Sequence, residues 1–264
     1  MGDEKDVSIL VMGRNAGLKY CYLTALFWDI YWKDCPFEKI LCTQTQIGDC
    51  KDKYDRFIYT DEKLIWGDRL ERALQGIDTE YVIMMPEDFF VCKTVDTKAI
   101  YDTLLLAKEN NAGAIHFGSS TLFSRKYNAQ LKEVKKGMLY RMVLRPVLYK
   151  TEYLKRFAGI HLSPWQFERV GTEMSNAFDE KVLCTIDNIY PCVHAWSHNS
   201  WSRAAIRLMK RNNISKDMYC NDSVYPLRLI IFDLVYVIAV KLFPNTVNNI
   251  ALSKAQKGEK KLKW

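Results

Sequence analysis

Tyr81-Val-Ile-Met-Met-Pro-Glu-Asp-Phe-Phe90 is the stretch on which the fold turns. Five apolar residues lead through Pro86 into an acidic pair, Glu87-Asp88, and then into two aromatics. An unbroken apolar run of strand length, closed by a proline, predicts a β-strand buried on both faces of a sheet. Carboxylates just past the end of such a strand sit on the rim of an α/β sheet, where ligands bind. Carboxylate oxygens are hard ligands suited to Mg²⁺ or Mn²⁺, and those ions bridge phosphate oxygens. Taken alone, an acidic pair is more often a solvated strand end, so the surrounding sequence has to decide.

On the N-terminal side, Val7-Ser-Ile-Leu-Val-Met12 predicts a first strand, followed by the turn-rich Gly13-Arg-Asn-Ala-Gly17. Residues 20–31 predict a helix, broken at Trp32-Lys-Asp-Cys-Pro36, and residues 39–43 and 56–60 predict two more strands. A helix over 66–77 places Leu70, Ala73, Leu74 and Ile77 on one face. Beyond the acidic pair, 97–110 reads as a helix and 114–117 as a fifth strand. Alternating strands and helices predict an α/β domain with a mostly parallel central sheet flanked by helices. After residue 118 the pattern loosens. Residues 126–137 read as a polar loop or short helix, and 140–149 as one strand or a hairpin bulged at Pro146. Ser163-Pro164 opens a short helix over 165–170, by the rule that pairs an N-cap serine with a first-turn proline. Residues 183–190 suggest another strand and 200–212 a basic amphipathic helix.

At 264 residues, 48% hydrophobic and 13% aromatic, the chain has ample core for one large domain or a domain with an appendage. The net charge of +7 is unevenly placed. Residues 200–264 hold 12 Lys/Arg against 4 Asp/Glu, and the rest of the chain holds 26 against 27. The excess therefore belongs to the C-terminal quarter and points to an anionic partner there. Between Pro226 and Pro244 lie 17 mostly apolar residues containing Arg228, Asp233 and Lys241. That is too short and too charged for a transmembrane span of about 20 residues. Either it packs on the domain as a core helix, or it lies in the membrane interface with the tail 254–263 over anionic headgroups. The expected division is a domain over 1–212, with halves at about 1–118 and 119–212, and a basic, apolar helical region over 213–264. The polar, acidic Met1-Gly-Asp-Glu-Lys-Asp6 reads as no secretory leader, and Asp6 does not suit myristoylation. Eight cysteines without a Cys-x-x-Cys pair read as reduced thiols of a cytosolic protein.

In combination, Trp66-Gly-Asp-Arg-Leu-Glu-Arg-Ala-Leu, Asp78-Thr-Glu-Tyr-Val-Ile-Met-Met, Glu87-Asp-Phe-Phe and Ser163-Pro-Trp-Gln-Phe-Glu resemble bacterial glycosyltransferases of the type A (GT-A) fold, which assemble capsules, O-antigens and exopolysaccharides. The resemblance covers roughly residues 5–212 and rests on the order of the motifs, since each is short. It implies transfer of one sugar from a nucleotide diphosphate, a UDP-hexose or UDP-N-acetylhexosamine, to a lipid-diphosphate-linked glycan at the inner face of the cell membrane. A divalent ion, Mn²⁺ or Mg²⁺, would sit on the strand-end acidic motif, here with Glu87 at the first carboxylate and Pro86 where a stricter Asp-x-Asp places Asp.

Sugar transfer requires a neutralised leaving diphosphate, a deprotonated acceptor hydroxyl and in-line placement. The resemblance implies Asp88 as first metal ligand, with Glu87 as a second carboxylate toward metal, water or ribose. Gly13, Arg14 and Asn15 after the first strand, together with Asp61 and Arg69, would take the nucleotide side; a surface-helix arginine is the plain reading of Arg69. Glu168 would be the general base of an inverting enzyme, with Trp165 and Phe167 stacking on the acceptor sugar; the plain reading makes both aromatics core. Glu173 and Asp179 are fallback bases. His194 and His198, four apart, would point one way on a helix, and His198 is the favoured metal or diphosphate ligand. His116 reads as core. The pattern contains no P-loop and no Gly-x-Gly-x-x-Gly, which disfavours ATPases and dinucleotide enzymes. Two other classes compete. A sugar-phosphate nucleotidyltransferase would want a Gly-rich basic loop after the first strand. A membrane- or nucleic-acid-associated binding protein would work through the basic C-terminus, although the resemblance itself implies no nucleic acid.

Overall fold

The structure, a computed structural model, describes residues 6–118, 124–197, 199–219, 224, 226–243, 245–247 and 249–250. The first half contains β1 (Val7–Met12), α1 (Leu18–Tyr31), β2 (Glu38–Thr43), β3 (Arg56–Tyr59), α2 (Trp66–Gln75) and β4 (Tyr81–Pro86). It continues with β5 (Phe89–Val91), α3 (Thr97–Glu109) and β6 (Ala112–His116). Then follow β7 (Ser124–Lys126), β8 (Leu131–Val134), β9 (Val147–Lys150), α4 (Thr151–Lys155), α5 (Pro164–Met174) and β10 (Lys181–Thr185). The last of the described elements are β11 (Cys192–His194), β12 (Trp196–Ser197), β13 (Ser200–Trp201), α6 (Arg203–Arg211) and α7 (Leu227–Leu242).

Nine strands form one sheet in the order β3-β2-β1-β4-β9-β6-β10-β8-β7. Alternate residues of β1 and β4 enter two cores. Ile9, Val11, Ile83 and Met85 pack on one face with Trp28, Trp32, Ile100 and Leu104. Leu10, Met12, Val82 and Met84 pack on the other with Leu70, Leu74, Tyr153 and Phe157. This is why the apolar run of β4 shows no alternation: both of its faces are covered. A smaller cluster containing Phe27, Phe90, Trp201 and Met209 ties α1 and β5 to α6.

The sheet is mixed, with seven of its nine strands running one way and β9 and β8 reversed. Pairings are parallel among β3, β2, β1 and β4 and between β6 and β10, but β9 runs antiparallel to both β4 and β6, and β8 to both β10 and β7. Pro146 has no N–H to give a ladder, so pairing begins only at Val147 and the strand or bulged hairpin expected over 140–149 shrinks to β9. Val147 pairs with Met84 and His116, at the C-terminal ends of β4 and β6. The chain thus enters β9 from that rim.

Three other boundaries differ. Residues 126–137 form most of a hairpin rather than a loop or helix, turned by Asn128, whose Oδ1 accepts from the N–H groups of Gln130 and Leu131. The strand expected over 183–190 stops at Thr185, whose hydroxyl donates to the Asp187 carbonyl at 2.7 Å as the chain turns. Ser200 and Trp201 pair in β13, and Ser202 caps α6 by accepting from Ala205 N–H. The seven described cysteines are free. No described helix is long and apolar enough to cross a membrane.

Candidate functional site

The C-terminal ends of β1, β2, β3 and β4 bring four loops to one edge. Asn15 organises the first three. Its Oδ1 accepts from Thr45 and Gln46 N–H at 3.1 Å each, and its Nδ2 donates to Thr45 Oγ1 at 2.9 Å and Glu62 Oε1 at 2.7 Å. Asp61 is exposed beside Glu62, and its Oδ1 caps a short turn by accepting from Lys63 N–H at 2.8 Å. Gly13 lies where a Cβ would meet Cys21 Sγ at 2.6 Å, so only glycine lets β1 leave the sheet along this path. Arg14 is exposed on the same loop.

Arg69 is neither a surface arginine nor a freely presented phosphate ligand. It is buried, with Nε donating to Thr60 Oγ1 at 2.9 Å and Nη2 donating to the Gly13 carbonyl. It clamps the first loop to the end of β3.

The acidic pair divides. Glu87 and Asp88 form the turn between β4 and β5. Glu87 turns inward against Gly17, where a Cβ would stand 2.6 Å from its Oε1. Burial, and then the neighbouring Asp88 charge, push its carboxyl up to about 7, against the pull of Arg14 and Arg69. Asp88 Oδ2 lies 3.1 Å from His194 Nε2. Glu87 thus packs on Gly17 and Asp88 meets His194, while the Asp88 charge still acts on Glu87.

His194 arrives through strand register, not helical spacing. β11 pairs antiparallel with β5, setting His194 opposite Phe89, and their rings stack at 4.7 Å and 11°. The Asp88 carbonyl also accepts from Ala195 N–H at 2.7 Å, locking the two segments together. Burial pulls the imidazole down, but the bond and charge of Asp88, with the charge of Glu168, outweigh it and hold His194 above its ordinary range. His198, the favoured histidine from sequence, lies outside the described residues.

Glu168 stands on α5, which starts with a full capping box: Ser163 accepts from Gln166 N–H while Gln166 accepts from Ser163 N–H. The Glu168 Oε1 accepts from Leu144 N–H at 2.8 Å, on the segment that precedes β9. Burial raises its carboxyl, opposed by that bond and by the charges of His194, Arg169 and Arg145. Glu168 and His194 thus feel each other across the rim. Trp165, on the same helix as Glu168, is 72% exposed, but Phe167 is fully buried against Trp66 and Phe157. An acceptor-stacking role for Phe167 is corrected, since its ring has no free face. Asp179 is exposed, 3.7 Å from Lys136, and His116 is core, as read, with Nε2 on the Arg141 carbonyl.

Arg145 is the residue that sequence reasoning passed over. Its Nε is buried with no hydrogen-bond partner among the described residues, and its charge acts on Glu168. A cation inside an otherwise apolar stretch was the available signal. Among the described residues no group of three or more His, Cys, Asp and Glu is set to hold a metal ion. Asp88 and His194 supply two donors, one hard and one borderline, which suits an ion completed by phosphate oxygens and water.

No family model matches the sequence, and no curated protein matches it. Among solved structures, S. aureus TarS 1-349 in complex with UDP is similar at 13% identity over 71% of this chain and 59% of that one, with a TM-score of 0.45. The same TarS fragment in complex with UDP-GlcNAc is similar at 13% identity over 77% of this chain and 65% of that one, with a TM-score of 0.42. The bifunctional IspDF from Campylobacter jejuni is similar at 15% identity over 57% of this chain and 42% of that one, with a TM-score of 0.30. The chain spans less than two thirds of each of these chains.

Proposed function

We propose that this protein is a GT-A-like glycosyltransferase, moving one sugar from a nucleotide diphosphate to a hydroxyl of a lipid-diphosphate-linked glycan in surface polysaccharide assembly. The observation that carries the proposal is the contact of Asp88 with His194 at the C-terminal rim, with Glu168 held by Leu144 N–H and its charge acting on His194. That rim is where an α/β sheet receives a nucleotide. The donor is a UDP-hexose or UDP-N-acetylhexosamine, its nucleotide resting on the 13–15 loop.

Glu168 is the base. With Oε1 held by Leu144 N–H, its other oxygen takes the proton of the acceptor hydroxyl. A carboxylate raised by burial is better matched to that task than a solvated one. The acceptor oxygen then bonds to the anomeric carbon as the bond from that carbon to the diphosphate oxygen breaks, inverting the centre. Trp165 offers an exposed ring to the acceptor sugar. Asp88 and His194 would hold a divalent ion on the donor diphosphate, and that ion would offset the charge of the departing nucleotide. Arg145 adds a fixed cation beneath Glu168. The site of action is the cytoplasmic face of the cell membrane, where the acceptor lipid is anchored.

The test is a screen of UDP-sugars with the purified full chain, Mn²⁺ or Mg²⁺ and a lipid-linked acceptor mimic, reading release of nucleoside diphosphate. Turnover is expected with at least one donor and should fall about a hundredfold or more in Asp88→Asn with the fold intact. If no sugar nucleotide is bound or turned over, the proposal fails.

A further inference from the structure

α7 exposes an apolar stripe that the domain does not cover. Ile231, Leu234, Val235, Ile238 and Leu242 are 56, 59, 57, 47 and 66% exposed. At 3.6 residues per turn they fall within an arc of roughly 100°. Tyr236 lies roughly 150° from the centre of that arc. It faces the domain, packing in a cluster with Leu139 and partly buried Tyr140, its hydroxyl 3.2 Å from the Tyr140 hydroxyl. Among the described residues the helix is therefore mounted by one side and exposed on the other.

We propose that the exposed face of α7 is a docking surface for an anionic lipid bilayer, with the helix lying in the membrane plane. Three observations favour lipid over another occupant. At 16 residues and with charges within it, α7 cannot span a bilayer, but its length and one-sided stripe suit burial to the depth of the headgroup–acyl boundary. The sequence around it is cationic, with 12 Lys/Arg against 4 Asp/Glu over residues 200–264, complementary to an anionic leaflet. The mount also leads to the site. Tyr140 feels the charge of Glu168, and Leu144, four residues further along the same segment, bonds to that carboxylate. A surface that seats on lipid thus stands one segment away from the base that would act on a lipid-borne hydroxyl. The inference deepens the acceptor side of the proposed function, but it rests on α7 and its test contains no sugar nucleotide, so the two can fail separately.

The experiment is co-sedimentation of the full chain with vesicles of phosphatidylcholine alone or mixed with phosphatidylglycerol. The parent should bind the mixed vesicles, bind the neutral ones weakly, and release as salt rises. Leu234→Asp with Ile238→Asp replaces two exposed side chains, so folding should be unchanged by circular dichroism while partitioning falls more than about a hundredfold. The proposal is overturned if the parent stays in the supernatant with mixed vesicles. It is equally overturned if the double variant partitions like the parent, or if light scattering shows a dimer that the two substitutions split without changing vesicle binding.

Discussion

Replacing Glu87 by Gln should make the metal-free protein more stable above neutrality and leave it nearly unchanged in mild acid. The Glu87 carboxyl is pressed against Gly17 and raised from 4.5 to about 7, first by burial and then by Asp88. Between those two values the native state holds a proton that the unfolded chain has released. Stability therefore falls as pH rises through this window, and the cost is absent below the unfolded value and complete above the folded one. At about 1.4 kcal/mol per pH unit, the full cost is about 3 kcal/mol. Gln keeps the shape and cannot ionise, so the variant should gain about that much over the parent near pH 8 and little near pH 5. Urea denaturation in EDTA, followed by tryptophan fluorescence at several pH values, reads the difference directly. In an Asp88→Asn background the gain should shrink, because the second cause has been removed. A gain that does not vary with pH, or a loss at pH 8, would refute the buried-acid reasoning.

The two aromatics of α5 should part company. Phe167→Ala should cost about 3–5 kcal/mol of stability, whereas Trp165→Ala should change stability by less than about 0.5 kcal/mol and raise acceptor KM about tenfold; denaturation midpoints and acceptor kinetics check the pair. Arg145→Met should lower turnover roughly tenfold to a hundredfold by removing a charged donor, and Arg145→Lys should recover part of it, because the cation returns without the fork. Equal loss in both variants, with unchanged denaturation midpoints, would mean that charge at this position is irrelevant.

What was legible in the sequence was local. The β4 run and its acidic end required only an apolar window and a proline, and both bounds of the strand are as expected. The start of α5 required only Ser163, Pro164 and Gln166, which carry the cap within four residues. The partners of Asp88 were a different matter. His194 reaches it because β11 and β5 align across more than a hundred residues, a register that no local pattern encodes. Helical spacing misled in two ways. It paired His194 with His198 in a region where His194 belongs to a strand. It was also overlooked for Trp165 and Phe167, which stand about 200° apart around α5 and cannot both face an acceptor. The antiparallel β9 was hidden in the same way, because Pro146 marks where pairing starts but not in which direction the strand will run.

Asp88 and His194 stand 3.1 Å apart, and among the described residues no group of three or more His, Cys, Asp and Glu is set to hold a metal ion. One carboxylate and one imidazole are too few donors to retain Mg²⁺ or Mn²⁺ tightly, since such ions expect about six ligands and a protein offering two leaves the rest to water and phosphate. The diphosphate of a donor nucleotide would supply the missing oxygens. Metal and nucleotide should therefore bind with positive coupling, each strengthening the other by the same factor, about tenfold or more. Calorimetric titration of Mn²⁺ with and without UDP, and of UDP with and without Mn²⁺, measures both sides of that cycle. Asp88→Asn should abolish the coupling, while Glu87→Gln should preserve it, because Asp88 contacts His194 whereas the Glu87 carboxyl packs against Gly17. Tight Mn²⁺ binding without nucleotide, or coupling lost in Glu87→Gln and kept in Asp88→Asn, would reverse the assignment of the two carboxylates.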